Sequence, residues 1–265
     1  MIEINSIYNE DCLLTMEKID SESVDMVLTS PPYDGLRAYN GFSFDFESIA
    51  RELSRVLKPN GVIIWVVGDS VIDGSETGTS FKQALFFREL GLRMHDTMIY
   101  LKNGAPFPDK SRYQNIFEYI FCFSKGKPKT FNPILEKTNP LYHKKFNSST
   151  SRGKDGETKK FKYEINKPTK IHGNVFRYDA GFMRSSNEKI AFEHPATFPE
   201  KLAYDQINSW SNENDVVYDP FMGSGTTAKI AIMLKRNYIG SEISKEYYDL
   251  INKRINNFNS QPYLF

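Results

Sequence analysis

Cysteine is scarce in this chain. Two occur in 265 residues, Cys12 and Cys122, far apart and without metal-ligand spacing. A disulfide-stapled scaffold and a zinc site are therefore not expected, and a reducing compartment fits. Both thiols read as buried structural groups. Long apolar runs are missing too: the longest, Val62 to Val67, is far too short to cross a bilayer, so no membrane partner is expected. The start, Met1-Ile2-Glu3-Ile4-Asn5, has neither a basic region nor an apolar signal core, and the expected location is cytoplasmic. There is no G-x-x-x-x-G-K-[ST] phosphate loop, which disfavours a P-loop nucleotidase, and no internal repeat. Net charge is nearly absent, at +1. That balance hides an asymmetry: Lys125 to Lys189 carries 16 basic and 6 acidic residues, a net of +10, leaving about −9 elsewhere. A basic block on an acidic remainder suits a polyanion partner; the competing reading is a solvated loop.

What is present alternates. With 40% hydrophobic residues the chain can bury a full core, as one large domain or one domain with an insert. Strands are expected at Ile2–Tyr8, Val24–Leu28, Val62–Val67, Met94–Leu101 and Ile116–Phe123. Helices are expected at Asp11–Ile19, Phe46–Leu57 and Ser80–Leu90 from apolar residues at helical spacing. Lys58-Pro59-Asn60-Gly61 is a stop-and-turn signal. Alternation of this kind argues for βαβ units and a parallel sheet, its last two strands forming an antiparallel edge. From Ser124 to Glu193 the periodicity fails, predicting a loop-rich insertion. It resumes with a helix at Pro199–Ser209, a strand at Val216–Tyr218, a helix at Thr227–Leu234, a strand at Tyr238–Ser241 and a helix at Lys245–Asn256.

Two segments carry chemistry. Thr29-Ser30-Pro31-Pro32-Tyr33 ends the second strand at a rigid proline corner. A hydroxyl, a proline-fixed carbonyl and an aromatic ring emerge together where open α/β sheets hold ligands. The grouping suits a flat, amine-bearing ring, although an ordinary strand-ending turn has the same composition. Val216-Val217-Tyr218-Asp219-Pro220-Phe221-Met222-Gly223-Ser224-Gly225-Thr226-Thr227 reads as strand, glycine turn and helix start. Gly223 and Gly225 permit close backbone approach, and the helix start offers N–H groups to a carboxylate. Glu242 follows Asp219 by 23 residues, near the spacing at which an acid binds ribose hydroxyls. A nucleoside-type cofactor is expected.

Together the two segments resemble the S-adenosylmethionine-dependent DNA amino-methyltransferases. Thr29-Ser30-Pro31-Pro32-Tyr33 is similar to their catalytic motif, and Asp219-Pro220-Phe221-x-Gly223-x-Gly225-Thr226-Thr227 to their cofactor motif. His194-Pro195-Ala196-Thr197-Phe198-Pro199 and Asn9-Glu10-Asp11-Cys12 resemble two further family segments. The catalytic motif precedes a variable basic region and then the cofactor motif, the permuted β-type order, and the likeness covers nearly all of the chain outside about Lys125 to Lys189.

The resemblance implies a Rossmann-like, circularly permuted seven-stranded α/β sheet with a basic loop-rich insertion. Residues 1–124 would form the catalytic half, 125–190 the target-recognition insertion and 191–265 the cofactor half. The target base would be flipped out of double-stranded DNA and stacked on Tyr33, while Ser30 Oγ and the Pro31 carbonyl, with Pro32 fixing the corner, accept from its exocyclic amine. No metal and no covalent intermediate are implied. Asp11, Thr29, His194, Phe198, Asp219, Pro220, Phe221, Gly223, Gly225, Thr226 and Glu242 would meet the cofactor, with Thr226 and Thr227 alternatively only capping a helix. Arg37, Lys144, Lys145, Arg152, Lys154, Lys159, Lys160 and Lys162 would meet DNA phosphates, and Arg177, Arg184, Asn174 or His172 would reach base edges. Family members acting on adenine N6 mostly carry Asp or Asn where this chain has Ser30, and those acting on cytosine N4 mostly carry Ser. Cytosine N4 is therefore expected, with adenine N6 as the alternative. An RNA or protein-amide methylase and a non-catalytic DNA-binding module are more distant readings. Whether the chain dimerises, as β-type relatives often do, and whether a restriction endonuclease acts on the same site stay open.

Overall fold

The computed structural model describes residues 2–32, 44–103, 110–137, 145–164, 167–197 and 199–260. The chain divides into two compact units, Met1–Asn132 with Asn174–Phe265, and Pro133–Gly173. The first begins with β1 (Ser6–Tyr8), α1 (Cys12–Lys18), β2 (Val24–Thr29), α2 (Phe46–Val56) and β3 (Leu57–Val67). It continues with the two-residue strands β4 (Val71–Ile72) and β5 (Ser75–Glu76), then α3 (Thr79–Glu89), β6 (Arg93–Asn103) and β7 (Phe117–Ser124). The second unit holds β8 (Leu135–Lys137), β9 (Lys145–Arg152), β10 (Thr158–Glu164) and β11 (Thr169–Ile171). The first unit resumes with β12 (Val175–Asp179), a 3-10 turn (Lys189–Glu193), α4 (Glu200–Trp210), β13 (Val216–Asp219), α5 (Thr226–Met233), β14 (Asn237–Ser241) and α6 (Lys245–Ser260).

The main sheet runs β1-β14-β13-β2-β3-β7-β6-β12. Its pairings are parallel except the two made by β7. Strand residues alternate between its faces. Val27, Ile63, Trp65, Phe121 and Phe123 pack with Met16, Leu53 and Phe87 of α1, α2 and α3. Met26, Leu28, Ile64, Val66 and Cys122 pack with Leu202, Ile207, Ala228, Ile230 and Ile251 of α4, α5 and α6. Both faces are covered, which is why β3 reads as an unbroken β-branched run.

Four expectations change. Among the described residues the sheet has eight strands where seven were expected, because β12 adds to β6 in parallel. The antiparallel pair β6–β7 is therefore not its edge. β12 lies in the segment expected to be loop. Its five residues are too few for a periodic signal, yet Tyr178 is buried and its hydroxyl donates to Asp205 Oδ2 at 3.1 Å. The rest of that segment also forms strands, in the antiparallel pairs β9–β10 and β8–β11. These are rich in Lys, Ser and Thr, so hydropathy does not reveal them. Finally, Lys58-Pro59-Asn60-Gly61 is a bulge inside β3. The register passes from Val24–Leu57 to Met26–Val62, with Asn60 at φ +66°.

Candidate active site

β2 and β13 are parallel neighbours, with Met26 opposite Val217 and Val27 opposite Tyr218. The two motifs therefore leave the sheet side by side. Thr29 Oγ1 donates to Asp219 Oδ1 at 2.7 Å, and both residues are buried. Asp219 also accepts from Phe221 N at 3.0 Å and from Thr227 Oγ1 at 2.6 Å. Burial pushes the Asp219 carboxyl up to about 6, although the three donors pull it down. Its oxygens are held by protein donors, so the carboxylate braces the corner. Pro31 and Pro220 are buried beside this brace, and Ser30 and Pro32 are half-buried.

The glycine turn starts α5. Gly223 and Gly225 both have positive φ, +55° and +81°. A Cβ on Gly223 would stand 3.2 Å from Cε1 and Nε2 of His194, and one on Gly225 would stand 2.8 Å from Ile251 Cγ2. His194 therefore lies over the turn, its ring edge-on to Tyr247 at 4.4 Å and its Nδ1 accepting from Ala196 N at 3.1 Å. No side chain caps α5. Thr227 donates to Asp219, and Thr226 Oγ1 accepts from Arg254 Nη1 at 3.1 Å, so neither caps the helix. Phe221 is half-buried, edge-on to Phe44 at 5.7 Å.

Glu242 follows β14 and is buried. Its Oε2 accepts from Gly223 N at 2.8 Å and its Oε1 from Ser244 N at 2.9 Å. Burial raises its carboxyl, and these two donors counter that. Asn9 Nδ2 donates to the carbonyl of Glu242 at 2.8 Å, bringing the Asn9–Asp11 segment to the same edge. Asp11 caps α1 by accepting from Leu13 N at 2.8 Å. Asp11, His194, Asp219, the glycine turn and Glu242 thus lie along the carboxyl edge of β1, β14, β13 and β2.

Sequence reasoning missed a buried charge cluster behind the turn. Arg254 of α6 is fully buried. Its Nη1 donates to the Ser224 carbonyl at 2.8 Å, its Nε to Glu188 Oε2 at 2.6 Å and its Nη2 to Glu200 Oε1 at 2.6 Å. Lys229 of α5 reaches the same carboxylates at 3.1 and 3.0 Å. Burial acts to raise Glu188, but Arg254 and Lys229 outweigh it and hold the carboxyl below its usual range. The signal was an arginine inside the apolar stripe Leu250, Ile251, Ile255 of α6, where an unpaired charge is not tolerated.

Other expected residues are dispersed. Tyr33, Arg37, Lys144 and Phe198 lie outside the described residues. Lys145, Arg152, Lys154, Lys159, Lys160 and Lys162 are exposed in the second unit, on β9, β10 and the turn between them. Arg177 and Arg184 are exposed in the first unit. Asn174 is committed elsewhere, its Nδ2 donating to the Thr97 carbonyl at 2.9 Å. His172 Nδ1 lies 2.6 Å from the Gly173 carbonyl. Cys12 and Cys122 are buried. Burial pushes the Cys12 thiol up to about 12 and Cys122 well above its usual value, so both stay protonated. Among the described residues, no group of three or more His, Cys, Asp or Glu is placed to hold a metal ion, and no helix is long and apolar enough to cross a membrane.

Known proteins resemble this chain in sequence and in fold. The chain matches the N6/N4 DNA methylase family over residues 24–253. It is 55% identical over 244 residues to the orphan methyltransferase M.BamHII of Bacillus amyloliquefaciens, spanning 91% of this chain and 92% of that protein. The fold is that of the cytosine-N4-specific PvuII DNA methyltransferase, with TM-score 0.69, 22% identity and coverage of 98% of this chain and 87% of that one. It is also that of M1.HpyAVI, solved in complex with SAM, with TM-score 0.62, 23% identity and coverage of 95% and 98%. The braced pair of motifs, the sheet that presents them and the match along most of its length place this chain in the N6/N4 DNA methylase family: it is a DNA methyltransferase.

Proposed function

We propose that this chain transfers a methyl group from S-adenosylmethionine to the exocyclic N4 of cytosine in double-stranded DNA, at a specific site. The observation that carries the reading is the Thr29–Asp219 hydrogen bond, which seats the amine-binding corner against the cofactor turn.

The donor set fits the cofactor. Glu242 is an anchored carboxylate whose remaining lone pairs suit ribose hydroxyls. The uncapped start of α5 suits a carboxylate. Asp11 suits an adenine amine, while His194 and Phe221 supply ring surface. When bound, S-adenosylmethionine supplies an already activated methyl, so the protein contributes positioning and electrostatics. Ser30 Oγ and the Pro31 carbonyl accept from the base amine and orient its nitrogen, and Tyr33 stacks on the extruded ring. The serine at position 30 is the basis for cytosine over adenine, and the likeness to the cytosine-N4-specific PvuII enzyme accords with it.

DNA is held in part by the second unit, residues 133–173, which carries 10 basic and 4 acidic residues. Arg152 and Lys160 lie on one face of the β9–β10 ribbon, as their partners Thr158 and Thr150 show. A two-stranded ribbon of this kind fits a major groove. The enzyme works in the cytoplasm, where its DNA is.

Methylated DNA digested to nucleosides and analysed by mass spectrometry tests the assignment. N4-methylcytosine is expected; N6-methyladenine without N4-methylcytosine would sink it in favour of the adenine reading.

A further inference from the structure

We propose that Arg254 is a positioning residue for the methyl-donor site, tying the floor of that site to its wall. The proposal rests on the cofactor reading above. The floor is the glycine turn, whose Ser224 carbonyl accepts from Arg254 Nη1 at 2.8 Å. The wall is the segment that opens at Glu188 and closes at His194, the two caps of the 3-10 turn. His194 lies over Gly223, so the height of this wall above the turn sets the width of the site. The same guanidinium holds Glu188 at 2.6 Å through Nε and Glu200, at the start of α4, at 2.6 Å through Nη2.

Turn, wall and α4 are thus joined through one planar group that is fully buried. A guanidinium presents its donors in a rigid fork, so it fixes the angles between three partners as well as their distances. Lysine at the same place keeps the charge, but its three donors diverge from a single nitrogen and lack the span and planarity of the fork. Lys229 already shows the contrast. Its ammonium pairs with Glu188 and Glu200 and lies over the Phe258 ring, none of which is a residue of the turn. Arg254 is therefore what transmits the position of the Glu188–His194 wall to Ser224.

The test is S-adenosylmethionine binding to the full chain by calorimetry, below the melting temperature of each variant. Arg254→Lys and Glu188→Gln are compared with Arg55→Lys as control. Arg55 Nη2 donates to the Met16 carbonyl at the end of α1, at 2.6 Å, and supports the fold away from the turn. Arg254→Lys and Glu188→Gln are expected to raise Kd by about tenfold or more. KM for S-adenosylmethionine should rise with them while KM for DNA stays unchanged. Arg55→Lys should lower Tm without moving Kd. Wild-type Kd in folded Arg254→Lys and Glu188→Gln overturns the proposal, as does an equal rise in the control. If Arg254→Lys does not fold, Glu188→Gln decides, since it removes one charge and keeps the side-chain shape. Failure of the wild-type chain to bind S-adenosylmethionine overturns the cofactor reading itself, and this proposal with it.

Discussion

Thr29 and Asp219 stand 190 residues apart in sequence and are joined by a 2.7 Å hydrogen bond between two buried side chains. Thr29 is the last residue of β2 and Asp219 the last of β13. The bond locks the start of one motif against the start of the other, so the proline corner and the glycine turn cannot shift independently.

Removing the hydroxyl tests the brace. Thr29→Val leaves a buried carboxylate with one donor fewer at nearly constant volume. A loss of about 1–3 kcal/mol is expected in urea unfolding, with a lower kcat on DNA. Unchanged stability would show that the hydrogen bond adds nothing net.

The raised Asp219 carboxyl gives a signed pH dependence. Its folded value, about 6 against an ordinary 3.8, means that the folded chain holds the proton more tightly than the unfolded one. Its contribution to stability is fully present below pH 3.8 and is lost as pH rises through about 6. The ionised group then costs about 3 kcal/mol. Subtracting the Asp219→Asn unfolding curve from wild type should reveal this fall between about pH 4 and 6; a flat difference would contradict it.

Gly225 has φ +81° and no room for a Cβ, which would lie 2.8 Å from Ile251. Gly225→Ala is expected to cost about 1–3 kcal/mol through the backbone and to weaken cofactor binding. Thermal melts with and without S-adenosylmethionine measure both; a wild-type ligand-induced rise in Tm would count against the turn as a cofactor site.

Ser30→Ala separates chemistry from binding. Single-turnover transfer should fall about a hundredfold, the scale of losing one preorganised hydrogen-bonding group, with cofactor Kd unchanged. Full activity would contradict the role assigned to Ser30.

Exposed cations on the ribbon should act through phosphates. Combined Arg152→Ala, Lys159→Ala and Lys160→Ala is expected to flatten the salt dependence of DNA binding, the log–log slope falling by about 0.9 for each phosphate no longer neutralised. Cofactor affinity should not move. An unaltered slope would exclude the ribbon as a DNA-binding surface.

Much of the fold was legible because its signals are local. The β-branched run Val62–Val67, the helical stripe of Ile49, Leu53 and Val56, and the glycine turn after Val216-Val217-Tyr218 each declare themselves within about a dozen residues. β12 and the β9–β10 ribbon did not. Strands this short or this polar are stabilised by the neighbour they pair with, and pairing leaves no trace in the local pattern.

The sequence by itself determined the alternating α/β architecture, the two motifs and their order, since period, turn chemistry and spacing are properties of contiguous residues. The tertiary structure alone decided that Asp219 braces Thr29, that Arg254 binds Ser224, Glu188 and Glu200, and that β12 completes the sheet. Each of these depends on which elements lie side by side. A buried carboxylate or guanidinium takes whichever partners its neighbours offer, and those neighbours are chosen by packing the whole sheet.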